Sequence, residues 1–289
     1  MRILLTGRNG QVGWELERKL APLGEVIATD RATLDLADPD QIRRVVREAK
    51  PDVIVNAAAY TAVDKAESEP ELALRINGSA PGVLAEEAKR LGALLVHYST
   101  DYVFDGEKAT PYLEDDPPNP INVYGKTKLE GERAIQAVGC RHLILRTSWV
   151  YSLRKANFLL TVIRLARRNA RVRIVVDQVG TPTCAGLVAQ ATVWALGSSS
   201  VSEGLFHAAA RGMASRHAFA TEVVERLGLT CTVEPARTSE FSLPAQRPAS
   251  SALAPDRLEH SLGVEMPVWR EDLMGCLLPV LEGRAALPA

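Results

Sequence analysis

This 289-residue chain has no overall excess of one charge: Lys plus Arg number 34, Asp plus Glu 35, and the formal net charge is −1. The basic patch that a nucleic-acid binder uses to neutralise phosphates is therefore missing. Long apolar runs are missing too, every one falling well short of the ~18 residues that span a bilayer, so no membrane partner is expected. The four cysteines, Cys140, Cys184, Cys231 and Cys276, lie far apart and form no Cys-x-x-Cys. That argues against a zinc motif and a disulfide framework, and fits a reducing compartment. The histidines (His97, His142, His207, His217 and His260) show no metal-ligand spacing. The first residues reach a Gly-Arg-Asn-Gly turn too early for a signal peptide, which predicts a cytoplasmic protein. Apolar residues, in contrast, are plentiful: 46% of the chain is hydrophobic, enough for a core and against disorder.

What the chain does have is alternation. Residues 3–6, 26–29, 53–59, 93–98 and 142–147 read as short strands, and 10–20, 39–50, 80–91 and 123–138 as helices between them. Strands apolar on both faces belong in a parallel sheet covered on each side. The alternation predicts right-handed crossovers and a doubly wound, Rossmann-type α/β sheet. Beyond residue 151 the pattern loosens: 157–168 and 187–196 read as helices, 172–176 as extended, 235–255 as loop and 269–281 as a final helix. Ligands of such sheets bind in a cleft at the carboxyl ends of the strands.

Gly7-Arg8-Asn9-Gly10-Gln11-Val12-Gly13 separates the first strand from the first helix. Glycines at this spacing allow a tight turn and bring a pyrophosphate against backbone N–H groups at a helix N-terminus. The plainer reading is an ordinary strand–helix turn. Asp30 ends the second strand where a ribose-binding carboxylate belongs, and Arg31 beside it suits the 2′-phosphate of NADP. NADPH is the expected cofactor, with NADH as the second choice. Residues 1–150 are thus expected to form a dinucleotide-binding domain, and 151–289 a smaller, mostly substrate-binding lobe with some segments returning to the sheet.

Tyr124 and Lys128 stand four apart, on one helix face, whereas Lys126 points elsewhere. An ammonium beside a phenol lowers the phenol pKa from about 10 toward neutrality and makes it a usable proton donor. Pairs at this spacing are common on surfaces; Ser99 and Thr100, which end the fourth strand, add a hydroxyl for a carbonyl oxygen.

These motifs together carry a resemblance. The glycine loop, Asn56-Ala-Ala-Ala59, Ser99-Thr100 and Tyr124-x-x-x-Lys128 resemble an extended short-chain dehydrogenase/reductase. Within that superfamily, Tyr98-Ser-Thr-Asp-Tyr-Val-Phe-Asp-Gly106, Val63-Asp-Lys-Ala-Glu67, Arg146-Thr-Ser-Trp-Val-Tyr151 and Asp177-Gln-x-Gly-x-Pro-Thr183 are similar to the dTDP-4-dehydrorhamnose reductase family. The likeness runs from the first strand to Arg247-Pro248.

The resemblance implies NAD(P)H-dependent reduction of the C4 ketone of dTDP-4-dehydro-6-deoxy-L-mannose to dTDP-L-rhamnose. Tyr124 would protonate the oxygen, Thr100 hydrogen-bond it, and Lys128 hold the nicotinamide ribose. It also implies Gly10, Gln11 and Val12 at the pyrophosphate, Asp35 and Leu36 near the adenine, and Ala59, Tyr60, Thr61 and Tyr98 along the dinucleotide channel. For the sugar it implies Asp101, Tyr102 and Trp149, a core tryptophan being the alternative for the last. Arg247 would meet the diphosphate, or else be a solvated loop arginine. Some members hold Mg²⁺ through carboxylates at a dimer interface. Glu15 matches one such ligand, but Gly186 stands in the place of another, so no bound Mg²⁺ is expected. A monomer or weak homodimer acting on a small nucleotide sugar follows.

Two other readings remain. One is another sugar-nucleotide reductase or an epimerase of the same superfamily. A dehydratase is disfavoured because Asp101 is followed by Tyr102 and not by the Glu its acid/base pair requires. The other is a non-catalytic, dinucleotide-binding regulatory subunit, whose usual mark is a damaged catalytic set; Thr100, Tyr124 and Lys128 are all present.

Overall fold

The computed structural model describes residues 1–201 and 203–287. Its first half runs β1 (Arg2–Thr6), α1 (Gln11–Leu20), β2 (Glu25–Ala28), α2 (Pro39–Ala49), β3 (Val53–Asn56), α3 (Val63–Ala66) and α4 (Pro70–Leu74). A π-helical turn (Arg75–Ser79) leads into α5 (Ala80–Leu91), β4 (Leu94–Thr100), α6 (Val123–Val138) and β5 (His142–Thr147). Then come β6 (Val150–Tyr151), α7 (Phe158–Arg168), β7 (Arg171–Val175), β8 (Val179–Gly180), β9 (Thr183–Cys184) and α8 (Ala185–Gly197). The chain ends through β10 (Gly204–His207), β11 (Ala214–Ser215), α9 (Arg216–Arg226), β12 (Thr232–Ala236), α10 (Asp256–Leu262) and α11 (Trp269–Leu281).

Six strands pair in parallel in the order β2-β1-β3-β4-β5-β10, the doubly wound sheet expected from the alternation. Successive side chains of a strand face opposite ways, and here both sides are covered. Ile3, Leu5, Val53, Val55, Val96 and Leu145 pack with Leu16 and Leu20 of α1 and Val188 and Ala191 of α8. Leu4, Ile54, Leu95 and Ile144 point the other way, onto Ile42 and Val46 of α2 and Leu84 and Ala88 of α5. Burying each such side chain stabilises the fold by ~1.5–3 kcal/mol, which is why these runs contain almost nothing polar. The chain leaves β1 toward one edge for β2 and returns on the other side for β3, so a switch point opens at their carboxyl ends.

Helix α6 has the predicted bounds because both its ends are marked. The Asn122 side chain accepts the Gly125 N–H at 2.8 Å, and Gly139 turns left-handed at φ 66°. On its buried face Glu132 accepts two hydrogen bonds from Arg146 of β5, at 2.9 and 2.7 Å. β3 stops at Asn56, short of the predicted run, and the alanines after it leave the sheet to line the cleft. β10 lies beside β5 although it comes from the second half of the chain. Elsewhere in that half, β7 and β12 pair in parallel, and α7, α9 and α11 close a separate core around Tyr151, Phe219, Trp269 and Leu273. Helices α9 and α10 lie outside the sequence reading, and the expected loop at 235–255 begins inside β12. Among the described residues, no helix is long and apolar enough to cross a membrane.

Candidate active site

The glycine loop owes its shape to close approach. Gly7 closes β1 at φ 72°, and a Cβ there would fall 2.8 Å from the Ala58 backbone nitrogen. The Gly10 N–H returns to the Gly7 carbonyl at 2.8 Å, after which α1 begins with its first N–H groups free of helical partners. Gly13 lies behind the loop, where a Cβ would strike the Gly7 carbonyl at 2.1 Å. A cradle stripped of side chains at a helix N-terminus fits a dinucleotide pyrophosphate.

The loop opens onto a cavity of about 810 Å³. Gly7, Gly10, Gln11 and Val12 form one end, and Asp30, Arg31, Asp35 and Leu36 the rim beyond β2. Ala59, Tyr60, Thr61, Tyr98, Thr100, Asp101, Tyr102, Tyr124, Lys128 and Trp149 line the rest. Of the residues singled out from sequence as contacts, only Gly13 and Arg247 stand outside this lining.

Both oxygens of Asp30 are engaged, one by its own turn and one by the glycine loop. Oδ1 accepts the N–H groups of Thr33 and Ala32 at 3.2 and 3.1 Å, and Oδ2 accepts from Asn9 at 3.2 Å. These bonds, led by the Thr33 N–H, hold the carboxyl below its ordinary range. The Arg31 side chain is 79% exposed and stands 3.6 Å from Asp35.

Helix α6 turns Tyr124 and Lys128 into the cavity and leaves Lys126 exposed. Lys128 donates to the Tyr98 carbonyl at 2.5 Å and meets His97 Nε2 at 3.1 Å. Burial draws its ammonium down to about 8, against an opposing pull from Glu132. Tyr124 differs from the sequence expectation of a phenol lowered by Lys128. Burial raises it, Thr100 beside it draws it partly back, and Asp101 pushes it up again. Desolvation dominates, and the amine of Lys128 does not offset it, being turned toward Tyr98 and His97.

The Thr100 hydroxyl accepts the Tyr102 N–H at 3.2 Å and donates to Asp101 Oδ1 at 3.1 Å. Asp101 Oδ2 accepts from Ser251 at 2.5 Å, and burial lifts the carboxyl to about 6. Tyr102 meets the Tyr124 ring edge-on, centroids 5.7 Å apart. Trp149 is half-buried at φ 45°, a left-handed conformation rare for an aromatic residue, and lines the cavity.

Arg247 does not face the cavity. Its guanidinium grips Asp64 through hydrogen bonds of 2.6 and 2.7 Å, so it is not a solvated loop arginine, and it stands near Tyr102 of the cavity lining. An arginine that the sequence reading did not single out lines the cavity instead. Arg216, the first residue of α9 after the Ser215 cap, lies over the ring of Trp149 at 3.5 Å and near that of Phe158 at 4.8 Å. Among the described residues no carboxylate forms an ion pair with it; Tyr102 and Asp101 are its electrostatic neighbours. A cation opening a helix opposes the helix dipole, and that misfit directly after a cap is the signal that would have marked it. Gln11, expected from the sequence at the pyrophosphate, has a second role. Its Oε1 also accepts from Ser152 at 2.8 Å and Asn157 at 2.9 Å, joining the glycine loop to the second half of the chain.

Glu15 and Gly186 lie on the packed pair α1 and α8, and burial raises the Glu15 carboxyl despite Lys19, Arg18 and Arg154 nearby. Among the described residues no three of His, Cys, Asp and Glu gather closely enough to hold a metal ion.

Comparison with known proteins agrees with this geometry. The family model described as the RmlD substrate binding domain matches residues 1–281. The dTDP-4-dehydrorhamnose reductase of Burkholderia thailandensis is 45% identical, over 97% of this chain and 99% of its own. The solved dTDP-4-dehydrorhamnose reductase of Clostridium acetobutylicum superposes with a TM-score of 0.93 at 40% identity, covering 98% of this chain and 100% of that one. That of Bacillus anthracis, solved in complex with NADP, does so with a TM-score of 0.92 at 34% identity, covering 96% and 98%. This chain belongs to the RmlD family of dTDP-4-dehydrorhamnose reductases.

Proposed function

We propose that the protein reduces the C4 ketone of dTDP-4-dehydro-6-deoxy-L-mannose to dTDP-L-rhamnose with NADPH, NADH being the second choice. The observation that carries this reading is the meeting of Thr100, Tyr124 and Lys128 on the cavity that the glycine loop opens. NADPH, bound along that loop, supplies the hydride. Gly10, Gln11 and Val12 receive the pyrophosphate, Arg31 the 2′-phosphate, and Lys128 the nicotinamide ribose.

Tyr124 is the proton donor to the oxygen at C4. Because burial keeps its phenol protonated through the neutral range, the donor form is always present. Thr100 hydrogen-bonds the same oxygen from the end of β4, by turning toward it the hydroxyl proton that Asp101 Oδ1 accepts in the free protein. Asp101, Tyr102 and Trp149 receive the sugar, and Arg216, rather than Arg247, takes the diphosphate. The protein acts as a monomer or weak homodimer in the cytoplasm on a small molecule, with no nucleic-acid or membrane partner.

The test is absorbance at the NADPH band with the keto sugar nucleotide made in situ, each cofactor tried with and without EDTA. Oxidation that requires the keto sugar and survives the chelator supports the reading. Dinucleotide binding without oxidation of either cofactor would move it to another sugar or to a regulatory subunit.

A further inference from the structure

Beneath the cavity a line of side chains runs from Lys128 back through the sheet. Lys128 Nζ meets His97 Nε2 at 3.1 Å, His97 Nδ1 meets Asn56 Nδ2 at 3.0 Å, and Asn56 Oδ1 accepts from the Thr6 hydroxyl at 2.7 Å. Thr6, Asn56 and His97 are each 1% exposed and Lys128 2%, so every donor and acceptor among them must find its match inside.

The far end sets the direction. The Ala58 N–H donates to Thr6 Oγ1 at 3.2 Å, leaving the Thr6 proton to be given to Asn56 Oδ1. That orients the amide with its nitrogen toward His97. An amide nitrogen only donates, so His97 Nδ1 accepts and the ring proton sits on Nε2. Burial, the larger cause and one that holds whatever the charge on Lys128, keeps His97 well below its ordinary range and therefore neutral. The Nε2–H then points at Lys128 Nζ. An ammonium in that place would set two donors against each other, whereas an amine offers a lone pair and still donates to the Tyr98 carbonyl.

We propose that Thr6, Asn56 and His97 are positioning residues whose one-way hydrogen-bond chain, as it stands, favours Lys128 as the neutral amine. Charging Lys128 then requires the chain to reverse: the His97 proton sits on Nδ1, and the Asn56 amide turns over to accept it. One proton enters from solvent, and His97 carries one before and after. The titratable groups turned toward Lys128 are Tyr124 and Glu132 of its own helix and His97 of β4. Glu132 favours the charged form, but its carboxylate is shared with Arg146 of β5.

The inference stands on Lys128 and its neighbours, independent of which sugar is reduced, so its failure is separable from that of the proposed reaction. The experiment is a pH titration by NMR of the intact protein, with 15N in the histidine ring and 13C at lysine Cε. The expected result is one lysine titrating between pH 6 and 9, ~1.5 units or more below an ordinary lysine. Across the same midpoint His97 passes from the Nδ1–H to the Nε2–H tautomer. Thr6→Val removes the group that orients Asn56 and adds no charge; it should raise the lysine midpoint by ~1 unit and carry the tautomer change with it. A His97 that keeps one tautomer throughout, or a Lys128 that titrates like an exposed lysine, overturns the proposal even if the variant fails to fold. So does a folded Thr6→Val protein with both midpoints unmoved.

Discussion

Arg216 lies over Trp149, its guanidinium carbon 3.5 Å from the ring centroid, with no carboxylate forming an ion pair with it among the described residues. A guanidinium held over an aromatic ring, with no carboxylate engaging it, keeps N–H donors that can fork onto phosphate oxygens. Arg216→Gln should therefore weaken binding of dTDP by ~10-fold or more, the scale of a lost charge-assisted hydrogen bond, with NADPH affinity unchanged. Calorimetric titration of each nucleotide reads this directly. Unchanged dTDP affinity in Arg216→Gln, with a large loss in Arg247→Gln, would return the diphosphate to Arg247 and make its grip on Asp64 a resting contact only.

Tyr124→Phe keeps the ring that meets Tyr102 edge-on and removes only the hydroxyl. Turnover should fall by at least ~100-fold, the usual size of lost general acid catalysis, while NADPH still binds. Near-normal turnover would remove Tyr124 from the chemistry.

How much of this was legible in the sequence depends on the range over which each feature is decided. Helix α6 could be read to the residue because Asn122 and Gly139 mark its ends locally. The sheet could be read because strands covered on both faces must be apolar throughout. The π-helical turn at Arg75–Ser79 left no trace, since its extra residue per turn is settled by packing, with Asn77 reaching the Tyr60 backbone and Thr127. Local motifs delivered Thr100, Tyr124 and Lys128. They could not deliver Ser251, which bonds Asp101 across 150 residues, or the grip of Arg247 on Asp64 across 183. The direction of the Tyr124 shift is hidden from the sequence for the same reason: spacing gives the neighbour, whereas burial is a property of the finished fold.

Arg31 should decide between the two dinucleotides. Asp30 is tied to Thr33, Ala32 and Asn9, so it competes weakly for a ribose hydroxyl, whereas the Arg31 side chain at the cavity rim has only a long contact to Asp35. Arg31→Ala should weaken NADPH by several-fold and leave NADH almost unaffected, as read by fluorescence titration. Equal losses for both would mean that Arg31 does not read the 2′-phosphate.

Asp101 makes stability depend on pH in a defined direction. Its carboxyl is 2% exposed, and burial lifts it from 3.8 to about 6 despite the hydroxyls of Ser251 and Thr100. In that window the folded chain holds a proton that the unfolded chain has released, so stability falls as pH rises from about 4 through about 6. Above it the ionised group imposes a constant penalty, on the order of 3 kcal/mol for a shift of this size. Asn cannot ionise, and its amide can still exchange hydrogen bonds with both hydroxyls. Asp101→Asn should therefore raise Tm relative to the parent by several degrees at pH 8, and by clearly less at pH 5, where the parent is largely protonated. Thermal unfolding at the two pH values measures the difference. An equal gap at both, or a larger one at pH 5, would mean that Asp101 stays ionised in the fold and that its hydroxyl partners outweigh its burial.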